Sequence, residues 1–248
     1  MSLVLVTGAG RRVGAAIAKR LARDGWTVAV HAHASRAGAD QVAAEIEASG
    51  GAALVLQADL SDGAAIDAMT NSLAVRGDWV GVINSAASFV HDDIAGFSMD
   101  RASAQLRLNL VAPVYLAGKL KAALPEGSRG FVVNIADQKV LNPNPDFLSY
   151  TLSKIGLAHA TGALAMAMAP SVRVNCVAAG LMLVSGGQTA ENFARVHAQN
   201  LTRTGTQPED VADACAFLAR AANITGALLP VDGGQHLVPS ARDVMFDG

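Results

Sequence analysis

Near its N-terminus the chain reads LVLVTGAGRRVG (residues 3–14), an apolar run followed by a turn that contains three glycines. The apolar run predicts a buried strand, and the amphipathic stretch after the turn predicts a helix. Glycines at such a turn allow backbone N–H groups to approach a pyrophosphate, whose charge the helix N-terminus stabilises. The spacing differs from the familiar Gly-x-Gly-x-x-Gly, and glycines also form plain tight turns. We expect a dinucleotide site at Gly8, Arg11, Arg12, Val13 and Gly14.

The same order of short strand and longer helix continues along the whole chain. Seven continuous runs rich in Val, Ile and Leu predict strands that are covered on both faces: Leu3–Val6, Thr27–His31, Ala53–Gln57, Val80–Asn84, Phe131–Ile135, Arg173–Val177 and Leu228–Val231. Amphipathic stretches predict helices at Val13–Arg23, Ala39–Ala48, Ala64–Arg76, Ala102–Ala123, Ser149–Ala169 and Pro208–Ala221. This alternation predicts one α/β domain over residues 1–248, a Rossmann-type doubly wound parallel sheet of about seven strands with helices on both faces.

One connection is unusually long, the segment 181–207 after the sixth predicted strand. In a Rossmann-type sheet, a long excursion at the carboxyl end of a strand lies beside the ligand crevice. We expect this segment to be a substrate lid, with an inert surface excursion as the alternative.

Composition excludes several classes of protein. The 248 residues carry 19 Lys and Arg against 21 Asp and Glu, a formal net charge of −2, so the basic excess typical of nucleic-acid binding is absent. No apolar run approaches the ~18 residues that cross a bilayer. Cys176 and Cys215 are too few for a disulfide framework or a metal site. We expect a cytoplasmic enzyme that acts on a small molecule, without a metal, a membrane or a nucleic acid.

The low content of charged residues predicts an oligomer. Charged residues make up only 16% of the chain and hydrophobic residues 51%, whereas charged residues are about 25% of a typical domain. Because so few charges cover a monomer poorly, we expect part of the exterior to be buried against other subunits.

The end of the second predicted strand indicates which nicotinamide cofactor binds. NAD sites place an Asp or Glu there for the ribose 2′-hydroxyl, but residues 31–36 read HAHASR and contain no carboxylate. Arg12 and Arg36 are suited to pair with a 2′-phosphate, with Ser35 as a hydrogen-bond partner. We include His33 in the same site and expect NADPH. The alternative is that both arginines are solvated surface charges.

Tyr150 and Lys154 lie four residues apart near the start of a predicted apolar helix, so they share one helix face. A tyrosine hydroxyl has a pKa of about 10, too high for easy proton transfer at neutral pH. A nearby ammonium group stabilises the phenolate and lowers that pKa. The pair therefore predicts a proton-transfer site, although Tyr-x-x-x-Lys also arises by chance.

With these residues the sequence resembles the short-chain dehydrogenase/reductase family over nearly its full length. The matching elements, in order, are Thr7-Gly8, Gly14, Asp59-Leu60, Asn84-Ser85-Ala86-Ala87, Asn109, Tyr150, Lys154, Gly180 and Asp232-Gly233-Gly234. The resemblance implies that Tyr150 donates a proton and that Lys154 holds the nicotinamide ribose and tunes Tyr150. It also implies that Asn109 maintains a water relay.

The same resemblance extends the expected cofactor site and implies an assembly. Asp59 is expected to meet the adenine. The further cofactor residues implied are Leu60, Asn84, Ser85, Ala86 and Gly180. Members of the family are commonly homotetramers, and we expect one here. The C-terminal residues 235–248 lie beyond the last strand, where they could cover the active site of a neighbouring subunit.

Asp137 departs from the family pattern, which usually has a serine thirteen residues before the tyrosine. Serine can donate a hydrogen bond to a substrate carbonyl, whereas an ionised carboxylate only accepts. Ketone reduction builds negative charge on oxygen, which a carboxylate opposes; reduction of a C=N bond benefits from protonation of nitrogen, which a carboxylate favours. Asp137 therefore favours an imine-like substrate, with a protonated Asp137 or a solvated loop Asp as alternatives.

Three local patterns together resemble the pteridine reductase branch of the family. They are Gly10-Arg11-Arg12-x-Gly14, Asn84-x-Ala86-x-Ser88-Phe89, and Asp137 with Tyr150-x-x-x-Lys154. In that branch NADPH reduces pterins or folates, and an aromatic ring that corresponds to Phe89 stacks on the pterin. The alternative role for Phe89 is a plug in the hydrophobic core.

We expect an NADPH-dependent reductase that transfers hydride to a C=N bond of a dihydropterin- or folate-like substrate. Asp137, Tyr150 and Phe89 are the expected substrate residues, and Asp137, Tyr150, Lys154 and Asn109 the catalytic ones. The first alternative is an NADPH-dependent carbonyl reductase that acts on a 3-oxoacyl compound or another ketone. The second is a catalytically idle NADP-binding regulator.

Overall fold

Seven strands form one parallel sheet in the computed structural model, which describes residues 2–184 and 187–246. The strands are β1 Leu3–Val6, β2 Thr27–Ala32, β3 Ala52–Gln57, β4 Trp79–Asn84, β5 Gly130–Asp137, β6 Val172–Ala179 and β7 Leu228–Val231. Their order across the sheet is β3-β2-β1-β4-β5-β6-β7. This is the predicted doubly wound arrangement, and ligands of such sheets bind where the order reverses, between β1 and β4.

Helices cover both faces of the sheet. They are α1 Arg12–Arg23, α2 Arg36–Ala48, α3 Gly63–Ala74, α4 Met99–Leu106, α5 Ala112–Ala123, α6 Leu148–Met168, α7 Ala190–His197 and α8 Pro208–Arg220. Short 3₁₀ turns lie at Gln138–Val140, Gln235–Leu237 and Val244–Phe246. In the described ranges no helix is long and apolar enough to span a bilayer.

The structure differs from the predicted helices in two places. The expected helix Ala102–Ala123 is broken into α4 and α5 by a π-helical turn, Arg107–Val111. Pro113 explains the break, because it has no N–H to donate to the carbonyl of Asn109 four residues earlier. In addition, α7 lies inside the expected lid segment 181–207, whose residues 185 and 186 are outside the described residues.

The sheet is buried because alternate side chains of each strand enter separate cores on its two faces. Val4 and Val6 of β1 face one core, which α1 closes with Ile17 and Leu21. Leu3 and Leu5 face the other core, to which α5 contributes Leu116 and Leu120. The two cores fix the register of the strands and so fix the positions of their carboxyl ends.

Thr7 joins the ends of β1 and β4 at the point where the strand order reverses. Its Oγ1 accepts hydrogen bonds from the backbone N–H groups of Ser85 and Ala86, both at 3.0 Å. The same hydroxyl donates to the carbonyl of Ile83 at 3.3 Å. Thr7 is buried, so its hydroxyl sets the course of the chain as it leaves β4.

Replacing Thr7 with valine tests this join. Thr7→Val keeps the shape of the side chain but leaves two backbone N–H groups without their acceptor, which costs about 1–3 kcal/mol. We expect a lower midpoint of urea unfolding. Thr70→Val is the control, because the buried Thr70 hydroxyl donates mainly back to its own helix at Ile66; an equal loss in both variants would contradict the account.

Candidate active site

A cavity of about 950 Å³ opens at the carboxyl ends of the strands. It receives residues from the glycine-rich turn, the ends of β2 to β6 and the C-terminal residues. The predicted site residues that line it are Gly8, Arg11, Arg12, Val13, Gly14, His33, Ser35, Asp59, Leu60, Ser85, Ala86, Phe89, Asp137, Tyr150, Lys154 and Gly180. The structure therefore brings most of the predicted cofactor, substrate and catalytic residues into one space.

Three predicted residues do not line the cavity. Arg36 is exposed, and its Nε donates to Asp40 Oδ1 at 2.9 Å within α2. Asn84 is buried in the sheet, where its Nδ2 donates to Asn134 Oδ1 at 2.8 Å. Asn109 is also fully buried, in the π-helical turn behind the cavity wall.

The glycine-rich turn fits a pyrophosphate because it has no room for side chains. Gly8 has a φ of +64°, a conformation that favours glycine. A Cβ on Gly14 would lie 2.4 Å from the carbonyl oxygen of Gly8. The turn is therefore packed against the first turn of α1, whose N-terminus favours a negative charge.

The end of β2 fits the 2′-phosphate of NADP better than the free hydroxyl of NAD. His33, Ser35, Arg11 and Arg12 line this part of the cavity, and residues 31–36 supply no carboxylate. Arg12 Nη1 donates to the carbonyl of Val184 at 2.9 Å, so this arginine also ties the glycine-rich turn to the segment after β6.

His31, which sequence reasoning did not assign to the site, supports the glycine-rich turn. Gly8 N–H donates to its Nδ1 at 3.2 Å, so Nε2 carries the proton that reaches the carbonyl of Ala58 at 3.0 Å. Burial lowers the pKa of His31, which agrees with a neutral ring. The sequence signal that could have identified His31 is its position on a buried face of β2.

Tyr150 and Asp137 form the centre of the site. Tyr150, in the first turn of α6, donates from its hydroxyl to Asp137 Oδ2 at 3.1 Å. Asp137 ends β5, and its other carboxylate oxygen accepts from the backbone N–H of Lys139 at 2.9 Å. The sheet and the helix thus hold an acid and a hydroxyl in direct contact.

The electrostatics of this pair correct one expectation. Burial and the charge of Asp137 raise the pKa of Tyr150 well above its ordinary value, so Lys154 does not lower it as expected. Lys154 Nζ lies 5.8 Å from the centre of the Tyr150 ring and donates to the carbonyl of Ile135 at 2.7 Å. Burial lowers the pKa of Lys154 to about 8 and raises the pKa of Asp137.

Asn109 connects the cavity wall at Ser88 to α6, which carries Tyr150 and Lys154. Its Nδ2 donates to Ser153 Oγ at 3.0 Å, next to Lys154 in α6. It also exchanges two hydrogen bonds with the backbone of Ser88, each of 2.9 Å. Because Ser88 precedes Phe89, the side chain of Asn109 fixes the position of Phe89 relative to α6.

Phe89 belongs to an aromatic cluster that borders the cavity. Its ring stacks on Phe147 with centroids 4.0 Å apart and meets the edge of Tyr150 at 4.7 Å. Phe147 is buried, whereas Phe89 is half-buried and lines the cavity. Phe89 therefore both packs on the core and borders the ligand space.

The C-terminal residues supply a further part of the wall that sequence reasoning did not assign. Asp243, Val244 and Met245 line the cavity of their own chain. Lys139 lines it as well and joins Asp243 through a hydrogen bond of 3.1 Å. The sequence offers no local signal for this contact, because 104 positions separate the two residues. The described residues contain no cluster of His, Cys, Asp and Glu suited to a metal ion.

Comparison with known proteins places this geometry in a family. A family model described as enoyl-(acyl carrier protein) reductase matches residues 8–236. The chain belongs to the short-chain dehydrogenase/reductase family. Among curated members it is 32% identical over 247 residues to 3beta-hydroxysteroid dehydrogenase 1 of Eggerthella lenta, covering 95% of this chain and 94% of that protein. The 3-oxoacyl-[acyl-carrier-protein] reductase of Synechocystis is 30% identical over 94% of this chain and 96% of its own.

Solved structures give a similar result. The alternative dihydrofolate reductase 1, FolM, of Brucella suis in complex with NADP is 37% identical, with a TM-score of 0.92 and 96% of each chain covered. The angucycline C-6 ketoreductase LanV with bound NADP is 27% identical, with a TM-score of 0.87 and 96% of each chain covered. The expected enzyme class and cofactor are confirmed: the chain is an NADP(H)-dependent short-chain oxidoreductase.

Replacing Gly14 with alanine tests the fit of the glycine-rich turn. The added Cβ would meet the carbonyl oxygen of Gly8, so the turn must open and misplace the N–H groups that face the pyrophosphate. We expect the Kd for NADPH to rise at least about tenfold, the loss of roughly one charge-assisted hydrogen bond, measured by quenching of protein fluorescence.

Gly63→Ala is the matched control, since a Cβ at that first position of α3 meets nothing within 4 Å. It should leave the Kd for NADPH unchanged. Equal affinity in Gly14→Ala and the wild type would show that the turn does not carry the cofactor.

Proposed function

We propose that this protein is an NADPH-dependent reductase of a C=N bond in a dihydropterin- or folate-like substrate. The observation that carries the proposal is the 3.1 Å hydrogen bond from Tyr150 to Asp137 inside the cavity. A carboxylate beside the proton-donating hydroxyl favours a substrate atom that gains positive charge, as an imine nitrogen does on protonation. The 37% identity to the Brucella alternative dihydrofolate reductase supports the same substrate class.

The cofactor would lie along the carboxyl ends of the strands, with its pyrophosphate at the glycine-rich turn. Asp59 and Leu60 would border the adenine, and Arg11 and Arg12 the 2′-phosphate. NADPH bound there supplies the hydride for the substrate carbon. Lys154, whose Nζ is fixed by the carbonyl of Ile135, would donate to the nicotinamide ribose.

Tyr150 and Asp137 would deliver the proton to nitrogen. The raised pKa of Tyr150 disfavours a lasting phenolate, so the hydroxyl needs a partner that returns the proton it gives. Asp137 would be that partner, because burial raises the pKa of its carboxyl, which lets it take up a proton from solvent, and its Oδ2 already contacts the hydroxyl. The proton would leave Oη for the ring nitrogen while Asp137 is ionised, and its replacement would then come from solvent through Asp137.

Asn109 and Phe89 would act by position. Asn109 fixes Ser88 and Ser153 and through them the cavity wall at Phe89 and Lys154. The half-buried ring of Phe89 would stack on a flat heterocycle, which contributes about 0.5–1.5 kcal/mol beyond its buried area. A small saturated ketone offers this ring no such partner.

Reduction of a ketone is the second candidate function. The curated relatives named as a hydroxysteroid dehydrogenase and a 3-oxoacyl reductase favour it. An ionised Asp137 would oppose the oxyanion that forms on a carbonyl, so this function requires a protonated Asp137. An idle NADP-binding regulator has less support, because Tyr150 is placed at Asp137 with its proton directed at an acceptor.

Two further expectations belong to the same proposal. Exposed apolar side chains on α5 and α6, Tyr115, Leu152 and Met166, suit burial between the subunits of a homotetramer. The segment 181–207 would close over the substrate as a lid, and its residues Leu181, Met182 and Gln188 border the cavity.

Replacing Asp137 with serine tests the proposed function. We expect wild-type protein to oxidise NADPH with 7,8-dihydrobiopterin, and Asp137→Ser to do so with a kcat at least about tenfold lower, because the proton relay is lost. The Kd for NADPH should stay within about twofold, since Asp137 lies at the substrate end. The steady-state loss of NADPH absorbance measures kcat, and quenching of protein fluorescence measures the Kd for NADPH.

Asp100→Ser serves as the control, because Asp100 is an exposed residue in the first turn of α4 and does not line the cavity. It should keep wild-type rates. Pterin reduction that is equally fast in Asp137→Ser would remove the observation on which the proposal depends.

A further inference from the structure

The C-terminal residues 239–246, here called the C-terminal strap, fold back over the substrate end of their own cavity. The strap ends in the 3₁₀ turn Val244–Phe246, which contacts α7. The ring of Phe246 lies 5.2 Å from His91 and 6.2 Å from Phe147, between ring centroids. The strap is therefore packed onto the same aromatic cluster that contains Phe89.

An ion pair anchors the strap. Arg242 Nε donates to both oxygens of Asp146, at 3.0 and 2.8 Å, and its Nη2 donates to Oδ1 at 2.8 Å. The backbone N–H of Asp243 adds a bond of 2.7 Å to the same carboxylate. Asp146 is buried, and Arg242 lowers its pKa. So many bonds on one carboxylate fix the backbone at Asp243.

Lys139 connects the strap to the catalytic carboxylate. It is only 3% exposed, and its Nζ donates to the carbonyl of Asp146 at 2.8 Å and to Asp243 Oδ2 at 3.1 Å. Its backbone N–H holds Asp137. Burial raises the pKa of Asp137, and the charge of Asp243 adds to that rise. The residues Asp137 and Asp243 thus both line the cavity, and the buried Lys139 donates a hydrogen bond to the carboxylate of each.

The carboxylate of Asp243 keeps capacity to accept hydrogen bonds. Oδ2 accepts from Lys139 and Oδ1 from the backbone of Met245 at 3.1 Å, and each oxygen retains a second lone pair. Gln138 and Gln188 also line the cavity, and the buried Oε1 atom of each has no hydrogen-bond partner within residues 2–184 and 187–246. The wall of the cavity therefore offers acceptors that need donors.

We propose that Asp243 is a specificity-determining residue that accepts hydrogen bonds from the amino-substituted edge of a nitrogen heterocycle. The inference rests on the proposed function. It extends substrate recognition from the C=N bond that is reduced to the opposite edge of the ring. A 2-aminopterin presents an amino group and ring N–H groups, which match an acceptor-lined wall. A simple ketone has no donor for Asp243, so the strap selects against it.

The test compares two substrates in two proteins. Asp243→Asn removes the negative acceptor and keeps the size of the side chain. With 7,8-dihydrobiopterin its KM should rise about tenfold, the effect of losing a charge-assisted hydrogen bond. Its kcat should stay within about threefold because Tyr150 and Asp137 remain. With the 2-deamino analogue, the variant and the wild type should have the same KM.

This design separates recognition from a structural role. A merely loosened strap would raise the KM for both substrates alike, and that result would overturn the inference. Asp100→Asn is the matched control, since it makes the same change at an exposed position away from the cavity. Unchanged KM in Asp243→Asn, with active wild type, would refute the inference alone; a wild type inactive on both pterins would refute the proposed function as well.

Discussion

A carboxylate placed at the end of a central strand governs the chemistry that we propose for this protein. Asp137 is the last residue of β5, and it stays there because the backbone of Lys139 and the hydroxyl of Tyr150 both donate to it. Desolvation raises its pKa, and desolvation together with the charge of Asp137 raises the pKa of Tyr150. The titrations of the two groups are therefore coupled, and we propose that Tyr150 passes its proton to a substrate nitrogen, whose positive charge the Asp137 carboxylate stabilises.

Most of the architecture was predictable because parallel strands are buried on both faces. Such strands read as continuous apolar runs, and each predicted run corresponds to one of the seven strands. The break between α4 and α5 was harder to predict, because Pro113 removes a hydrogen bond to a carbonyl that lies one turn earlier in the chain. The short helix α7 has eight residues, fewer than the window of about 11–18 residues in which an apolar periodicity can be recognised.

The candidate site was predictable where function is tied to local sequence and not where it depends on distant contacts. The glycine-rich turn and the pair Tyr150 and Lys154 are each recognised from a short stretch of sequence, and the residues of both line the cavity. Arg36 lies outside the cavity and pairs with Asp40 on its own helix, so its role as a phosphate ligand stays a prediction. The bond between Lys139 and Asp243 spans 104 positions and becomes visible only in the fold. Overall similarity does not select the substrate either, since both ketoreductases and a dihydrofolate reductase match the whole chain.

The most direct test of the central claim is the ratio of kcat/KM values of the wild-type protein for two substrate classes. Oxidation of NADPH would be followed with 7,8-dihydrobiopterin, dihydromonapterin and dihydrofolate, and separately with ketones such as an acetoacetyl thioester, with NADH as the cofactor control. We expect an NADPH-linked rate that is higher on at least one pterin than on every ketone. Rapid ketone reduction without pterin turnover would contradict it, as would tight NADPH binding with no turnover of either class.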